Sequence, residues 1–243
     1  EVPFNGRLCE GLVIGLSPSS SEKVKNISRV ISDVPVASPS MIELVKATAR
    51  RWAAHPYDVI RSAIPPRVAS VEKDFSLDKS KRPLTEKSRR IYVQLPPSHN
   101  RIDAINRYIE TLVQKGSVLL IVPDSRLAGK LHVAHPGSIL LDSGSDRSMR
   151  YRSFLAASIT HHGLVIGTRS AVFSPVAQLS HIVIFDEGSE LLYEKRAPGW
   201  NVRDVAILRS QLEEVSLTFL GYSPSSEVAK LIEEKWVVYQ SHP

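Results

Sequence analysis

The sequence predicts an α/β protein: a small basic α+β N-terminal domain, then a doubly wound, mostly parallel sheet. Three observations predict it. Two short apolar runs, Leu164-Val165-Ile166 and Ile182-Val183-Ile184-Phe185, are continuous and rich in β-branched residues. Strands buried on both faces of a parallel sheet have this pattern. From residue 91 onward strand and helix signals alternate, as parallel strands joined by helical crossovers require. The charge is also uneven: residues 1–90 carry 16 Lys/Arg and 10 Asp/Glu, and residues 91–243 carry 15 of each, so the whole +6 excess lies in the first third.

The totals exclude several classes. A chain of 243 residues with 42% apolar content suffices for one large or two ordinary domains. No apolar run approaches the ~20 residues of a membrane-spanning helix, and no signal peptide is visible. The chain begins with Glu, which leads us to expect a piece of something longer. The single cysteine, Cys9, rules out an internal disulfide and a cysteine-based zinc site. It fits a reducing compartment, so a cytoplasmic location is expected. The histidine pairs His132/His135 and His161/His162 lack further ligands at metal-binding spacing and read as ordinary residues.

Residues 1–10 open with a turn-like piece, and residues 11–16 (GLVIGL) read as a strand. Residues 22–32 have helical spacing but are short and β-branched, and stay ambiguous. Residues 38–53 predict a helix, with Ser38 as cap, Pro39 at the first position and Met41, Leu44, Val45, Thr48 and Trp52 on one face. A short helix is expected over 57–63, before Pro65-Pro66. Residues 67–90 are charged and poor in apolar residues, and read as an exposed linker. The expected division is therefore 1–66, a linker 67–90, and 91–243. Six strands follow, at 91–95, 118–122, 138–141, 164–166, 182–185 and 216–220. Helices are expected at 101–115, 149–159, 202–212 and 227–234.

In open parallel sheets ligands bind beyond the carboxyl ends of the strands. Two polar groups sit there: Thr168-Arg169-Ser170 and Asp186-Glu187. Asp followed by Glu suits a nucleotide-hydrolysing site, the Asp holding Mg²⁺ and its water shell and the Glu orienting the attacking water. It also suits a helix cap, and by spacing alone the cap is the stronger reading.

Laid out this way, the chain resembles the primosomal replication restart helicase family, primosomal protein N′ (PriA), nearly end to end and as an actinobacterial-type member. Ile166-Gly167-Thr168-Arg169-Ser170-Ala171-Val172-Phe173-Ser174-Pro175 is similar to the family's Ile-Gly-Thr-Arg-Ser-Ala-Leu-Phe-x-Pro run. Asp186-Glu187 falls at its Asp-Glu-Glu-His box, and Arg203-Asp204-Val205-Ala206 matches the helix that follows. Val2-Pro3-Phe4 resembles the core of the family's 3′-end-binding domain, and residues 38–66 its end. The resemblance implies that 1–66 is a 3′-end DNA-binding-like domain and 91–243 the first RecA-like lobe of a superfamily 2 ATP-dependent DNA helicase. It implies DNA contacts by Phe4, Lys25, Thr168, Arg169 and Ser170, with Asn5 standing where the family has Gly. The family uses ATP and Mg²⁺, and zinc in a part not matched by these residues.

The departures from the family are grouped. Its first helicase strand leads into a glycine-rich P-loop ending Gly-Lys-Thr, whose amides cradle phosphate. Here that station reads Pro96-Pro97-Ser98-His99-Asn100-Arg101. The two prolines remove two N–H donors, and neither glycine nor lysine follows. The box reads Asp-Glu-Gly-Ser, and the family's Gly-Ser-Ala-Thr-Pro motif reads Gly221-Tyr222-Ser223-Pro224-Ser225. The family's Pro-Glu after the second strand is Pro123-Asp124. Losing a P-loop removes several charge-assisted hydrogen bonds at roughly 1.5–3 kcal/mol each.

The leading expectation is a DNA-binding replication restart (primosome) protein that recognises forked or strand-end DNA, with a degenerate ATP site at Pro96, Pro97, Ser98 and Arg101. Its partners would be single-strand/duplex junction DNA and other primosome proteins, with no cofactor and no membrane. The alternative is an active 3′-5′ helicase with Asp186 and Glu187 as catalytic acids. A third reading is a protein-interaction module without DNA contact. For Arg169, a backbone-phosphate contact and a capping ion pair with Asp186 or Glu187 are weighted equally. Lys25, Arg50 and Arg51 have a weaker case, since basic residues on a solvated face are common.

Overall fold

The computed structural model describes residues 1–16, 25–32, 34–75, 88–97, 100–159 and 163–241. Ser98, His99, His161, His162 and most of the charged stretch after residue 75 lie outside the described residues. The chain forms two compact units, Glu1–Pro35 and Val36–Pro243.

The first unit is built on a hairpin, β1 (Val2–Phe4) paired antiparallel with β2 (Arg7–Cys9). Its turn is Asn5-Gly6, with φ of 50° and 77°. Two-residue hairpin turns favour positive φ at both positions, and Asn is a side chain that tolerates it. The expected strand over 11–16 does not form. Val13, Ile14 and Leu16 are 60%, 42% and 97% exposed, so the β-branched run lacks the packed face that would make it a strand. Residues 25–32 carry no regular structure. The backbone N–H of Ser28 donates to the Glu1 carbonyl at 2.9 Å.

The second unit opens with two helices that follow the expected signals. In α1 (Pro39–Arg51) the Ser38 hydroxyl accepts from Met41 N, and Met41, Leu44, Val45, Thr48 and Ala49 are buried. Helix α2 (Pro56–Ala63) follows, capped by His55. Both pack on the lobe, α1 against α7 (Val202–Leu212) and both against the 3₁₀ turn Arg169–Phe173.

Part of the expected linker is also folded. Helix α3 (Ala69–Glu72) lies on α6 (Arg147–Ile159). Arg67 donates twice to Glu72, at 2.9 and 2.7 Å, Tyr151 Oη donates to Glu72 at 2.5 Å, and Arg152 reaches Asp74 at 2.7 Å. A segment rich in charge is therefore tied to α6 by pairing, although Lys73 and Asp74 stay exposed.

The remaining strands are β3 (Arg90–Gln94), β4 (Ser117–Ile121), β5 (Ile139–Leu141), β6 (Leu164–Gly167), β7 (Leu179–Phe185), β8 (Ser216–Gly221) and β9 (Val238–Ser241). They form one sheet in the order β5-β6-β4-β7-β8-β3-β9, and every neighbouring pair is parallel. The fold is thus α/β with a doubly wound parallel sheet. Successive strand residues face opposite sides. Val118, Leu120, Ile166 and Val183 pack under α4 (Arg101–Val113) and α5 (Ser125–Ala134), while Leu119, Val165 and Ile182, equally buried, face the other layer.

Two features exceed the sequence expectation of six strands. Helix α5 was not anticipated, although Asp124 caps it by accepting from Leu127 N at 2.9 Å. Strand β9, after α8 (Ser226–Glu233), adds a seventh strand at the edge; all four residues are exposed, so periodicity carries no signal there.

Candidate functional site at the carboxyl edge of the sheet

The strand order brings the expected site residues to two stations. The ends of β7, β8 and β3 are adjacent, which gathers Asp186-Glu187, Gly221-Tyr222 and Pro96-Pro97. The ends of β5 and β6 form the second station, with Thr168-Arg169-Ser170 following β6. Strand β4 lies between β6 and β7, so two strand spacings, about 10 Å, separate the stations.

At the first station Glu187 is 2% exposed and hydrogen-bonded through both oxygens. Its Oε1 accepts from Ser225 N at 2.7 Å and its Oε2 from the Ser225 hydroxyl at 2.8 Å. Arg203 Nη1 lies 3.6 Å from the same Oε2. Ser225 is itself the cap of α8, accepting from Val228 N at 3.3 Å. Arg203 also pairs with Asp204 at 3.1 Å and Glu227 at 3.0 Å. Burial works against the charge of this guanidinium, but the carboxylates of Asp204, Glu227 and Glu187 outweigh it and its pKa lies above the ordinary value. Glu187 therefore joins the end of β7 to the starts of α8 and α7. Asp186 is exposed and holds a left-handed backbone, φ 53°, a conformation that Asp tolerates better than most residues.

The end of β3, where the sequence places a degenerate ATP site, is likewise held by internal bonds. Gln94 Nε2 donates to the Tyr222 carbonyl at 2.9 Å, and the Tyr239 hydroxyl donates to Gln94 Oε1. Tyr239 stacks on Tyr92 with ring centroids 6.1 Å apart. Tyr92 is buried, and its hydroxyl has no hydrogen-bond partner among the described residues. Burial first, then the charges of Glu187 and the groups of Tyr239 and Asp186, push this phenol well above the ordinary tyrosine range. Pro96 is partly buried and Pro97 exposed. At the entry to α4, the Asn100 side chain accepts from Ile102 N at 3.1 Å, taking up one of the free N–H groups that a helix start otherwise offers to an anion. Arg101 is exposed on the first turn.

At the second station Gly167 allows the turn to close. A Cβ there would lie 2.4 Å from Ala171 Cβ and 3.1 Å from Leu141 Cβ. Ala171 N donates to the Thr168 carbonyl at 2.9 Å. Ser170 is exposed and Thr168 partly so. Arg169 is turned toward the loop of residues 188–200: it pairs with Glu194 at 3.2 Å and donates to the Tyr193 carbonyl at 3.0 Å. Its ion-pair partner is thus Glu194, not Asp186 or Glu187. Trp200 closes the same loop, fully buried and edge-on to Phe173 at 4.9 Å and 86°.

In the first unit Phe4 is 69% exposed and Lys25 is exposed. Glu194 was not singled out in the sequence, and Arg203 and Ser225 entered only within compared motifs, with no role toward Glu187. Arg203 sits in a matched helix but carries no spacing signal toward Glu187, because sheet topology alone brings the two together.

Comparison with known proteins bears on this geometry. Residues 1–65 match the 3′ DNA-binding domain (3′BD) family of PriA. The chain is 30% identical to the probable replication restart protein PriA of Mycobacterium tuberculosis over 267 aligned positions, covering 97% of this chain and 41% of that protein. The chain is PriA-like. Its likeness to the Mycobacterium leprae PriA is 28% over the same 97%. With the replication restart protein PriA of Synechocystis it is 32% identical over 46% of the chain. It spans about two fifths of the length of the mycobacterial PriA proteins. A solved C-terminal domain of the DEAD-box protein Dbp5 aligns with 64% of the chain at 15% identity and a TM-score of 0.45, a loose likeness, so the fold rests on the sheet order itself. The PriA 3′BD match ends at residue 65, whereas packing divides the chain after Pro35. Helices α1 and α2, inside the PriA 3′BD match, are thus packed into the same unit as the sheet.

Proposed function

We propose that this chain is the nucleic-acid-holding part of a PriA-like replication restart protein and that its α/β lobe serves as a scaffold that does not hydrolyse ATP. The basic first third engages a strand end or fork, with Phe4 and Lys25 in the hairpin-bearing unit. Thr168 and Ser170 meet backbone phosphates at the second station, and Arg169 holds the adjoining loop through Glu194. Such contacts position a protein on DNA without reading sequence. Other primosome proteins are the expected partners.

The observation that carries the ATPase half is the state of Glu187. A carboxylate that orients an attacking water needs a free lone pair facing the nucleotide. Here Glu187 is 2% exposed, and each of its oxygens already accepts from Ser225, with Arg203 beside them, which turns the carboxylate inward. Pro96 and Pro97 support the same reading, since neither has an N–H to offer a phosphate.

The DNA half is tested by fluorescence anisotropy with forked DNA across a salt series. Neutralising about four phosphates makes affinity fall by roughly a hundredfold between about 50 and about 200 mM salt. Affinity that is absent, or flat across that range, refutes DNA holding and favours a pure protein-interaction module.

A further inference from the structure

A small cavity of about 80 Å³ opens beside the second station, between the end of α2, the end of β5, α6 and the 3₁₀ turn Arg169–Phe173. Its walls include Arg61 from α2, Arg150 from α6, and the hydroxyl residues Ser143, Ser170 and Ser174, with Phe154 as an apolar side. Neither arginine forms an ion pair among the described residues; Arg61 only lies over the Tyr57 ring at 5.9 Å. One acid, Asp142, also lines the cavity; its Oδ1 accepts from the Ser125 hydroxyl at 2.7 Å and from Gly144 N at 3.1 Å. Two guanidinium groups without ion-pair partners among the described residues outweigh the single carboxylate, and with several hydroxyl donors beside them they favour an anion.

Size narrows the anion. Pockets that enclose a drug-sized molecule start near ~300 Å³, so a nucleoside does not fit and a single compact group does. Guanidinium groups match phosphate oxygens in pairs. We infer that this cavity is a phosphate-binding site built jointly by α2 and the sheet lobe, with Arg61 and Arg150 as its charged donors. It takes a phosphate of a DNA strand lying across the ends of β5 and β6. This rests on the DNA-holding reading above and adds two residues that the family resemblance did not supply. The site gives a reason for α2 to be packed with the sheet: the pocket is complete only when Arg61 of α2 and Arg150 of α6 line it together.

The test compares wild type with Arg61→Gln, Arg150→Gln and the double variant, using Lys230→Gln on α8 as a distant control, each checked by circular dichroism. One arm measures forked-DNA affinity against salt. The other measures thermal stability with inorganic phosphate against chloride at equal ionic strength. A strand phosphate in the cavity predicts roughly tenfold weaker DNA binding by the double variant and a salt slope shallower by about 1, with the control unchanged. Phosphate that stabilises wild type but not the double variant, with DNA affinity unaltered, assigns the site to free phosphate and overturns the DNA assignment. Folded variants equal to wild type in both arms overturn the site. If wild type itself ignores DNA, the function proposed above fails, while the phosphate arm still decides whether the cavity binds phosphate.

Discussion

Glu187→Ala should unfold at a markedly lower temperature than wild type, by about 3–5 kcal/mol of stability, whether or not nucleotide is present. The substitution removes the acceptor of the Ser225 N–H and hydroxyl, and takes one carboxylate from Arg203, whose side chain is only 9% exposed. Asp204 and Glu227 remain beside Arg203, which places the cost toward the lower end. Glu187→Gln keeps one acceptor oxygen but turns an amide toward Arg203, and should cost about 1–3 kcal/mol. Urea or thermal denaturation reads both. A catalytic Glu behaves in the opposite way: its amide variant keeps stability and loses turnover. Glu187→Ala with wild-type stability would remove the structural role assigned to this carboxylate.

Trp200→Ala is expected to have an effect of similar size at the other station. Trp200 is fully buried against Phe173 and its carbonyl accepts from Glu194 N at 2.9 Å. The side chain thus supports the 3₁₀ turn that carries Ser170, while the backbone of the same residue ties the loop that pairs with Arg169. Truncation should cost about 3–5 kcal/mol, a fall in Tm of roughly 10 °C for a chain of this size, and should weaken DNA binding. Trp200→Phe should be much milder. The Trp200 Nε1–H has no hydrogen-bond partner among the described residues, so Phe loses ring volume and no bond. Equal damage from both variants would show that the indole N–H, not the packing, is what matters.

The parallel strands were legible because they are buried on both faces, and a run such as Val118-Leu119-Leu120-Ile121 has no polar side to confuse the reading. Helix α1 was legible from its cap and first-turn proline. The run Leu12-Val13-Ile14 misled, since it has strand composition but remains largely exposed. Strand β9 was invisible for the converse reason: an exposed edge strand shows no apolar period. At the site, the positions of Asp186, Glu187 and Arg169 followed from the rule that strand ends carry function. Their partners did not, because Glu194, Arg203 and Ser225 come from loops and helices whose approach is decided by strand order. The charged stretch at 67–75 read as linker because pairing such as Arg67 with Glu72 has no signature in composition.

The central claim is that the motor lobe holds nucleic acid and does not consume nucleotide, and phosphate release from Mg-ATP in the presence of forked DNA tests it most directly. The account predicts release no faster than without protein, at DNA concentrations that saturate binding. Saturable, DNA-stimulated release that disappears in a folded Glu187→Gln variant would contradict it.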